Sequence, residues 1–461
     1  MERKISMLFD TLPYQLTEGQ KNALLTVESG GHVLIGGKAG VGKSSILQLL
    51  KDFYKDEILF CGSTGVANAA LFDHKGGAGS AHRVWSLPLT EATPKDWKEV
   101  SKYTNTIFSG SCQIKRVVID EAFMLNSEHL AIILHRIKRF NKASKKRKER
   151  QIQLIMVGDC GQIPPVLKNR KYYEEKYGHP LFFLSDTFKE ANFKICFLNQ
   201  VMRQDDKVYK AALEVLRYAE KDRYEGVLKW FNRRAIPAPQ DAVVICPTNK
   251  QVDRYNQITF DRNPNECFCY EAEYTGNFDK KNCPVPEELF LKEGLKVISL
   301  VNDPSGEGQY VNGTQMIVQQ CTAEGVWCEI VRTGESILMP IHEFEEHEVY
   351  VEDQILNEEG TLVDVLGTRV KGTCTTVALK PSSCLSAHRA QGMTIDYPLL
   401  VDMGSDWSFK NRDFGDSLLY TILSRPTSIE YLYLKRPLTK SFIKVCSDTL
   451  EWLVEREKEA T

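Results

Sequence analysis

Short apolar runs rich in β-branched residues recur along the chain, most of them running into Gly, Asp, Ser or Thr and then a helical pattern. They are His32–Ile35, Ile58–Cys61, Arg116–Ile119, Leu154–Val157, Lys194–Leu198, Val243–Cys246, Leu399–Val401 and Tyr431–Leu434. Strands that are apolar throughout and alternate with helices predict parallel sheets covered on both faces. In such α/β folds ligands bind outside the carboxyl ends of the strands. Here those ends carry Gly36-Gly37, Ser63-Thr64, Asp120-Glu121, Gly158-Asp159 and Pro247-Thr248.

Two stretches break this rhythm. Residues 73–108 are polar, with Gly76, Gly77, Gly79 and two tryptophans, and read as a small insertion. Residues 264–372 read as short strands and turns: Lys296–Val301, the Asn312-Gly313 turn, Gln315–Val318, Val326–Val331 and Ile337–Met339. That spacing predicts a small all-β barrel or sandwich. From Leu438 to Glu457, the apolar Phe442, Val445, Leu450, Leu453 and Val454 fall at roughly helical spacing, which predicts a packed terminal helix.

At 461 residues the chain exceeds one compact core, so several domains are expected. The 59 basic residues nearly balance the 61 acidic ones, which neither favours nor excludes a nucleic-acid partner, because a local basic channel fits within a neutral total. The 13 cysteines are scattered without a CxxC pair, as expected of reduced thiols in an intracellular, soluble protein. No apolar run reaches membrane-spanning length, so no membrane partner is expected. His342 and His347 stand five apart rather than four, which does not put them on one helix face for zinc.

The chemistry begins at Gly37-Lys38-Ala39-Gly40-Val41-Gly42-Lys43-Ser44, which matches G-x-x-x-x-G-K-[ST]. Its glycines let backbone N–H groups wrap a phosphate, Lys43 reaches the β/γ oxygens, and Ser44 can hold Mg²⁺. A chance match in a chain this long has a probability of roughly 2%. The flanking strand and apolar helix lower it further. Val117-Val118-Ile119-Asp120-Glu121 is an apolar strand ending in two carboxylates. Alone, that pattern is a common strand end. Beside a phosphate loop, Asp120 is assigned to the metal and Glu121 to general base. Gly158-Asp159-Cys160-Gly161-Gln162-Ile163-Pro164-Pro165 follows a third strand and brings Gln162 toward the γ-phosphate.

Phosphate loop, Asp-Glu, then Gly-Asp-x-x-Gln-x-Pro-Pro is an order that resembles the superfamily 1 helicases, and further motifs narrow it to the 1B branch with the petite-integration-frequency (PIF) helicases, RecD and Dda. Leu16-Thr17-Glu18-Gly19-Gln20 resembles the amino-terminal motif whose glutamine, here Gln20, reads adenine. Ser63-Thr64-Gly65-Val66-Ala67 and Gly79-Ser80-Ala81-His82 resemble single-strand-binding segments. Val201-Met202-Arg203-Gln204 resembles the motif that supplies one γ-phosphate arginine. Cys246-Pro247-Thr248-Asn249, with Asn256 beyond it, resembles the opening strand and backbone contact of the second motor domain. His388-Arg389-Ala390-Gln391-Gly392-Met393-Thr394 resembles the motif coupling DNA to ATP, and Tyr420-Thr421-Ile422-Leu423-Ser424-Arg425 the one whose arginine acts as a finger.

The resemblance implies an α/β fold of two RecA-like domains. The first, 1A, would be residues 1–72 and 109–198, with insertion 1B at 73–108. The second, 2A, would be 199–263 and 373–461, with an SH3-like insertion 2B at 264–372. It implies a 5′-to-3′ DNA helicase using ATP and Mg²⁺, acting as a monomeric motor on single-stranded and tailed duplex DNA, with replication or repair proteins as further partners. Lys43, Glu121, Gln162, Arg203 and Arg425 would be catalytic. Nucleotide would be held by Gln20, Gly37, Ala39, Gly40, Val41, Gly42, Lys43, Ser44, Ser45, Asp120 and Gly392, with Ser44 and Asp120 on the metal. DNA would be held by Thr64, Gly65, Ser80, His82, Thr248, Asn249, His388, Gln391 and Thr394. An RNA helicase or non-unwinding translocase of the same class, and a nucleic-acid-binding module with a decayed site, are the alternatives.

The sequence also departs from the family pattern. Phe123 stands where a serine is usual after Asp-Glu, Arg389 and Ala390 replace Lys and Ser, and the basic run Lys142–Arg150 lies where Gly-Gly is expected. The run reads as a solvated loop, a DNA-backbone contact or an import patch. Trp85 is considered as a strand-separating residue and, more simply, as a core tryptophan.

Overall fold

The structure, a computed structural model, describes residues 5–12, 14–63, 77–88, 90–101, 104–105, 114–146, 151–167, 169–200, 206–240, 242–280, 283–301, 303, 305, 309–310, 313–331, 333–356, 362–404 and 416–459. The chain divides into two compact units, Met1–Val252 with Cys384–Thr461, and Asp253–Ser383.

The first unit holds two parallel sheets. One contains β1 (Val33–Gly37), β2 (Ile58–Gly62), β3 (Gly77–Ser80), β4 (Arg116–Asp120), β5 (Gln153–Gly158) and β6 (Lys194–Leu198), in the order β3-β2-β4-β5-β1-β6. Alternate side chains of these apolar strands feed opposite faces. Leu34, Val117, Ile119, Leu154 and Met156 enter one core, while Val33, Ile35, Val118, Ile155 and Val157 enter the other. Helix α1 (Glu18–Glu28) opens on a capping box made by Thr17 and Gln20, and α2 (Lys43–Tyr54) follows β1 directly. The α2 residues Ile46, Leu47, Leu49 and Leu50 bury the helix against the second face. Helix α3 (Ser127–Lys146) covers the first face through Leu130, Ile132, Ile133 and Ile137.

The other sheet of this unit pairs Cys384–Ser386, Val243–Cys246, Leu399–Val401 and Leu432–Leu434, all parallel and adjacent in that order. Against it pack α4 (Lys207–Arg217), through Tyr209, Ala212, Leu213 and Leu216, and α5 (Leu418–Leu423). Both sheets end their strands where the motifs lie. The unit Asp253–Ser383 is mostly β, with a seven-stranded antiparallel sheet and a separate two-stranded pair, around Leu289, Leu291, Val297, Met316, Val326, Met339 and Val377, and carries most of the helix Asn249–Arg262.

Three features depart from the pattern read along the chain. Gly77–Ser80 adds an edge strand to the first sheet, and Trp85, fully buried, lies in that sheet's core. Residues 77–87 of the expected insertion thus pack on the first sheet, and Trp85 is a core residue. The strand expected at Ile337–Met339 runs over Ser336–Leu356, its first residues pairing with Gly325–Ile330 and those from Ile341 onward with Leu362–Val377. Its run His342-Glu343-Phe344-Glu345-Glu346-His347 has no clean period of two, so charge hid the ribbon.

The third is the terminal helix α6 (Ser447–Glu459). It is shorter than the helix expected over 438–457: Phe442 and Val445 precede it, Phe442 in the second sheet's core, while the buried Trp452 and Leu453 of α6 join the core of the first sheet. The Trp452 ring lies 4.7 Å from that of Phe183, 5.8 Å from Phe197 and 6.3 Å from Phe123. Phe123, where the family pattern has serine, is therefore an apolar packing partner of α6. A methyl group on Gly158 would come within 2.8 Å of its ring. The side chains of 142–150 lie outside the described residues. Among described residues, no helix is long and apolar enough to cross a membrane.

Candidate nucleotide site and its couplings

The loop between β1 and α2 is built by conformation. Gly40 and Gly42 have φ of 78° and 83°, a region that costs a side chain strain. At Gly37 a Cβ would meet the Leu198 carbonyl and the Val41 side chain, both at 2.9 Å. At Gly42 it would meet Gln20 Nε2 at 2.4 Å. The amide of Gln20 is already engaged: Oε1 accepts the Thr17 N–H at 3.0 Å, and Nε2 donates to the Val41 carbonyl at 3.5 Å. Gln20 thereby ties the start of α1 to the phosphate loop.

Lys43 donates from Nζ to the carbonyls of Gly37, at 2.8 Å, and Lys38, at 3.0 Å. Burial holds its ammonium below the ordinary lysine range, against the pull of Asp159, Glu121 and Asp120. Ser44 is exposed and Ser45 half-buried at the first turn of α2. A loop of open backbone curvature, a helix N-terminus and a desolvated lysine together fit a polyphosphate.

Asp120 and Glu121 end β4. Glu121 is buried with φ 51°, a left-handed conformation uncommon for a residue with a side chain. Its N–H donates to Asp120 Oδ1 at 2.8 Å. Burial, and next the neighbouring Glu121 charge, push the Asp120 carboxyl up, while Lys43 opposes them. A buried, crowded pair of carboxylates facing one lysine fits a divalent cation, with Asp120 and Ser44 as the residues that would hold it.

Gln162 lies in the turn after β5, 3% exposed, and its Nε2 donates to Asp159 Oδ2 at 3.3 Å. Its Oε1 is buried and has no hydrogen-bond partner. From the second sheet, Gln391 reaches across: its Nε2 donates to Glu121 Oε2 at 3.4 Å, and its Oε1 is likewise buried without a partner. Two orphaned amide oxygens, Gln162 on Asp159 and Gln391 on Glu121, are unusual, because buried polar atoms are nearly always satisfied. They suit a water or phosphate oxygen-bound proton brought in by a ligand.

Further bonds join the two sheets here. Tyr420 of α5 donates its hydroxyl hydrogen to Asp159 Oδ2 at 2.8 Å and accepts the Ala39 N–H at 3.2 Å. Thr421 Oγ1 accepts the Ile163 N–H at 3.0 Å. Lys38 of the phosphate loop pairs with Glu214 of α4. Arg217 of α4 pairs with Asp159 at 2.9 Å, both side chains fully buried. Burial pushes the Asp159 carboxyl up, but Arg217 and Lys43 outweigh it and the net direction is down. Of these residues, Arg217 and Glu214 were not singled out in the sequence, and Tyr420 and Asp159 were seen only as motif letters. One signal existed: Arg217 shares the buried stripe of α4 with Leu213 and Leu216, and an arginine on an apolar face calls for a buried acid.

Arg425 follows α5 and is 2% exposed. It donates to the Thr421 carbonyl at 2.9 Å, to Ser424 Oγ at 2.8 Å and to the Met393 carbonyl at 3.4 Å, all on its own side of the site. Gly392 has φ 81°, beside Gln391. The expected strand-binding residues are more dispersed. Ser80 Oγ caps the helix Ala81–Trp85 by accepting the Arg83 N–H, and the His82 ring stands edge-on to His129 at 4.9 Å. Thr248 Oγ1 donates to Gln251 at 2.9 Å, and Asn249 is exposed at the start of the helix Asn249–Arg262. His388 is half-buried in Ala387–Ala390, and Thr394 is exposed. Asn256 spends its amide on the Pro381 carbonyl and the Ser383 N–H, which makes it a local staple. Thr64, Gly65 and Arg203 lie outside the described residues.

The family profile described as PIF1-like helicase matches residues 15–221, which contain the phosphate loop, Asp120-Glu121 and the Gln162 turn. Over residues 15–221 the chain is similar to the PIF1-like helicases. The relatives extend well beyond that PIF1-like segment. The ATP-dependent DNA helicase Pif1 of Campylobacter jejuni is 25% identical over 428 residues, covering 86% of this chain and 87% of its own. That of Bdellovibrio bacteriovorus is 24% identical, covering 91% and 88%. A crystal structure of Bacteroides Pif1 bound to ssDNA superposes with a TM-score of 0.77 at 23% identity, covering 97% of this chain and 98% of that one. A Bacteroides Pif1 complex with ADP-AlF3 and ssDNA gives 0.78 at 23%. The fold shared with these Pif1 structures therefore spans both parallel sheets and the β-rich unit.

Proposed function

We propose that the chain is an ATP-dependent DNA helicase that moves 5′ to 3′ along a single strand. The observation that carries this reading is the Gln391–Glu121 hydrogen bond, which joins the motif resembling a DNA-coupling element to the carboxylate at the hydrolytic position. The ATP-dependent DNA helicases named Pif1 that align along most of the chain support the substrate, and the polarity follows from the resemblance to the 1B branch.

In this reading the phosphate loop binds the β- and γ-phosphates, Lys43 leaves its carbonyl partners for them, and Gln20 holds the loop against α1. Bound Mg²⁺, held by Ser44 and Asp120, would neutralise charge on the phosphates. Glu121 accepts the proton of the attacking water, while Gln162 and Gln391 turn their free amide oxygens toward that water. ADP and phosphate leave, and charge is lost at the point where the two sheets meet. Arg203 and Arg425 complete the second wall as closure brings them in. Strand contacts fall to Thr64, Gly65, Ser80, His82, Thr248, Asn249, His388 and Thr394. The motor unit would be a monomer of domains 1A, 1B, 2A and 2B, with replication or repair proteins as partners.

ATP turnover measured with and without oligonucleotides tests the class. Single-stranded DNA should raise turnover by about 10²- to 10⁴-fold, an effect of the size carried by one well-placed acid–base group. Equal or stronger stimulation by RNA would move the assignment to an RNA motor. No strand dependence would indicate a decayed module.

A further inference from the structure

We infer that Arg217 is a positioning residue for hydrolysis, acting on Gln162 through Asp159 and held in place by Glu457 of the terminal helix. This rests on the reading above and goes beyond it, since no motif assigns Arg217 or Glu457.

The chain of contacts is short, fully buried at Arg217 and Asp159 and half-buried at Glu457. Glu457 Oε1 accepts from Arg217 Nη1 at 2.8 Å, and Tyr218, the next residue, donates its hydroxyl to the other Glu457 oxygen. Arg217 Nη2 donates to Asp159 Oδ1 at 2.9 Å. The same Oδ1 accepts the Gly161 N–H at 3.0 Å, and Oδ2 accepts from Gln162 Nε2 and from Tyr420. Arg217 also packs on the turn itself: a Cβ on Gly161 would come within 2.8 Å of its Nε.

A buried arginine–aspartate pair is often only structural, and it seldom adds net stability over apolar packing. What separates this pair from that case is its output. Asp159 orients the one donor of Gln162 that is engaged, and so aims the Gln162 oxygen that is left free. A planar guanidinium holds two carboxylates in fixed directions, Asp159 through Nη2 and Glu457 through Nη1, which an ammonium does less well. The input also differs from a simple core contact. Arg217 ends α4 on the second sheet, whereas Trp452 and Leu453 anchor α6 in the first sheet's core. Arg217 thus reports to Gln162 whether the two halves are seated together.

The test is a double-mutant cycle on the full chain, with ATP turnover measured at saturating single-stranded DNA. Arg217→Lys should lower kcat on the order of 10- to 100-fold, the scale of a misplaced catalytic group, with KM for ATP within about twofold. Combined with Gln162→Ala, it should cost little more than Gln162→Ala alone, because both act through one side chain. Glu457→Gln should lower kcat by a smaller factor and show the same non-additivity, and it serves if Arg217→Lys fails to fold. Losses that multiply, or a KM that moves as far as kcat, would overturn the inference while leaving the helicase reading intact. A wild-type chain without turnover would sink both.

Discussion

Replacing Glu121 by glutamine should leave ATP bound and stop its hydrolysis. The substitution keeps the size of the side chain and an oxygen to face Gln391, so the loop around Lys43 and Asp120 need not rearrange. It removes the only group at the end of β4 that can take a proton while Asp120 serves a cation. General-base catalysis contributes about 10²- to 10⁴-fold, and a fall in kcat of that size is expected with nucleotide affinity little changed. The left-handed backbone at Glu121 supports the choice, because a fold keeps such strain where a side chain must be aimed. Turnover and equilibrium binding of a fluorescent ATP analogue measure the two quantities separately. Wild-type turnover in Glu121→Gln would reassign the base.

Arg425→Ala should lower kcat by about 10³- to 10⁵-fold with binding nearly intact, the range for an arginine that stabilises phosphoryl-transfer charge. The geometry adds a condition. Arg425 is nearly inaccessible and holds the carbonyls of Thr421 and Met393, so truncation also leaves buried acceptors open. Arg425→Lys, which keeps the charge and part of the bonding, separates the roles. A finger loses most of its effect with lysine because the fork is gone, whereas a structural arginine regains most of the melting temperature and the activity. Normal turnover in Arg425→Ala would remove it from the second wall and leave Arg203 to carry that role.

The parallel sheets were legible because their strands are apolar from end to end, and Lys194–Leu198, Val243–Cys246 and Leu399–Val401 match the observed bounds. The phosphate loop, Asp120-Glu121 and Gln162 were legible because each follows such a strand. What escaped depends on contacts far apart in sequence. Nothing local tells that Trp452 packs on Phe123, some 330 residues earlier by the numbering, or that Glu457 reaches Arg217. The insertion at 73–108 was read from its glycines, yet the Gly77–Ser80 backbone pairs with β2 without an apolar pattern. Gln391, just past the helix Ala387–Ala390, was found only as a motif letter, and its bond to Glu121 needed the fold.

The most direct test of the account is ATP-driven unwinding of duplexes tailed on one side. Duplex carrying a 5′ single-stranded overhang should open in the presence of ATP and Mg²⁺, and the same duplex with a 3′ overhang should not. Opening of the 3′-tailed duplex alone, or of neither, would contradict the claim that this chain is a 5′-to-3′ DNA motor.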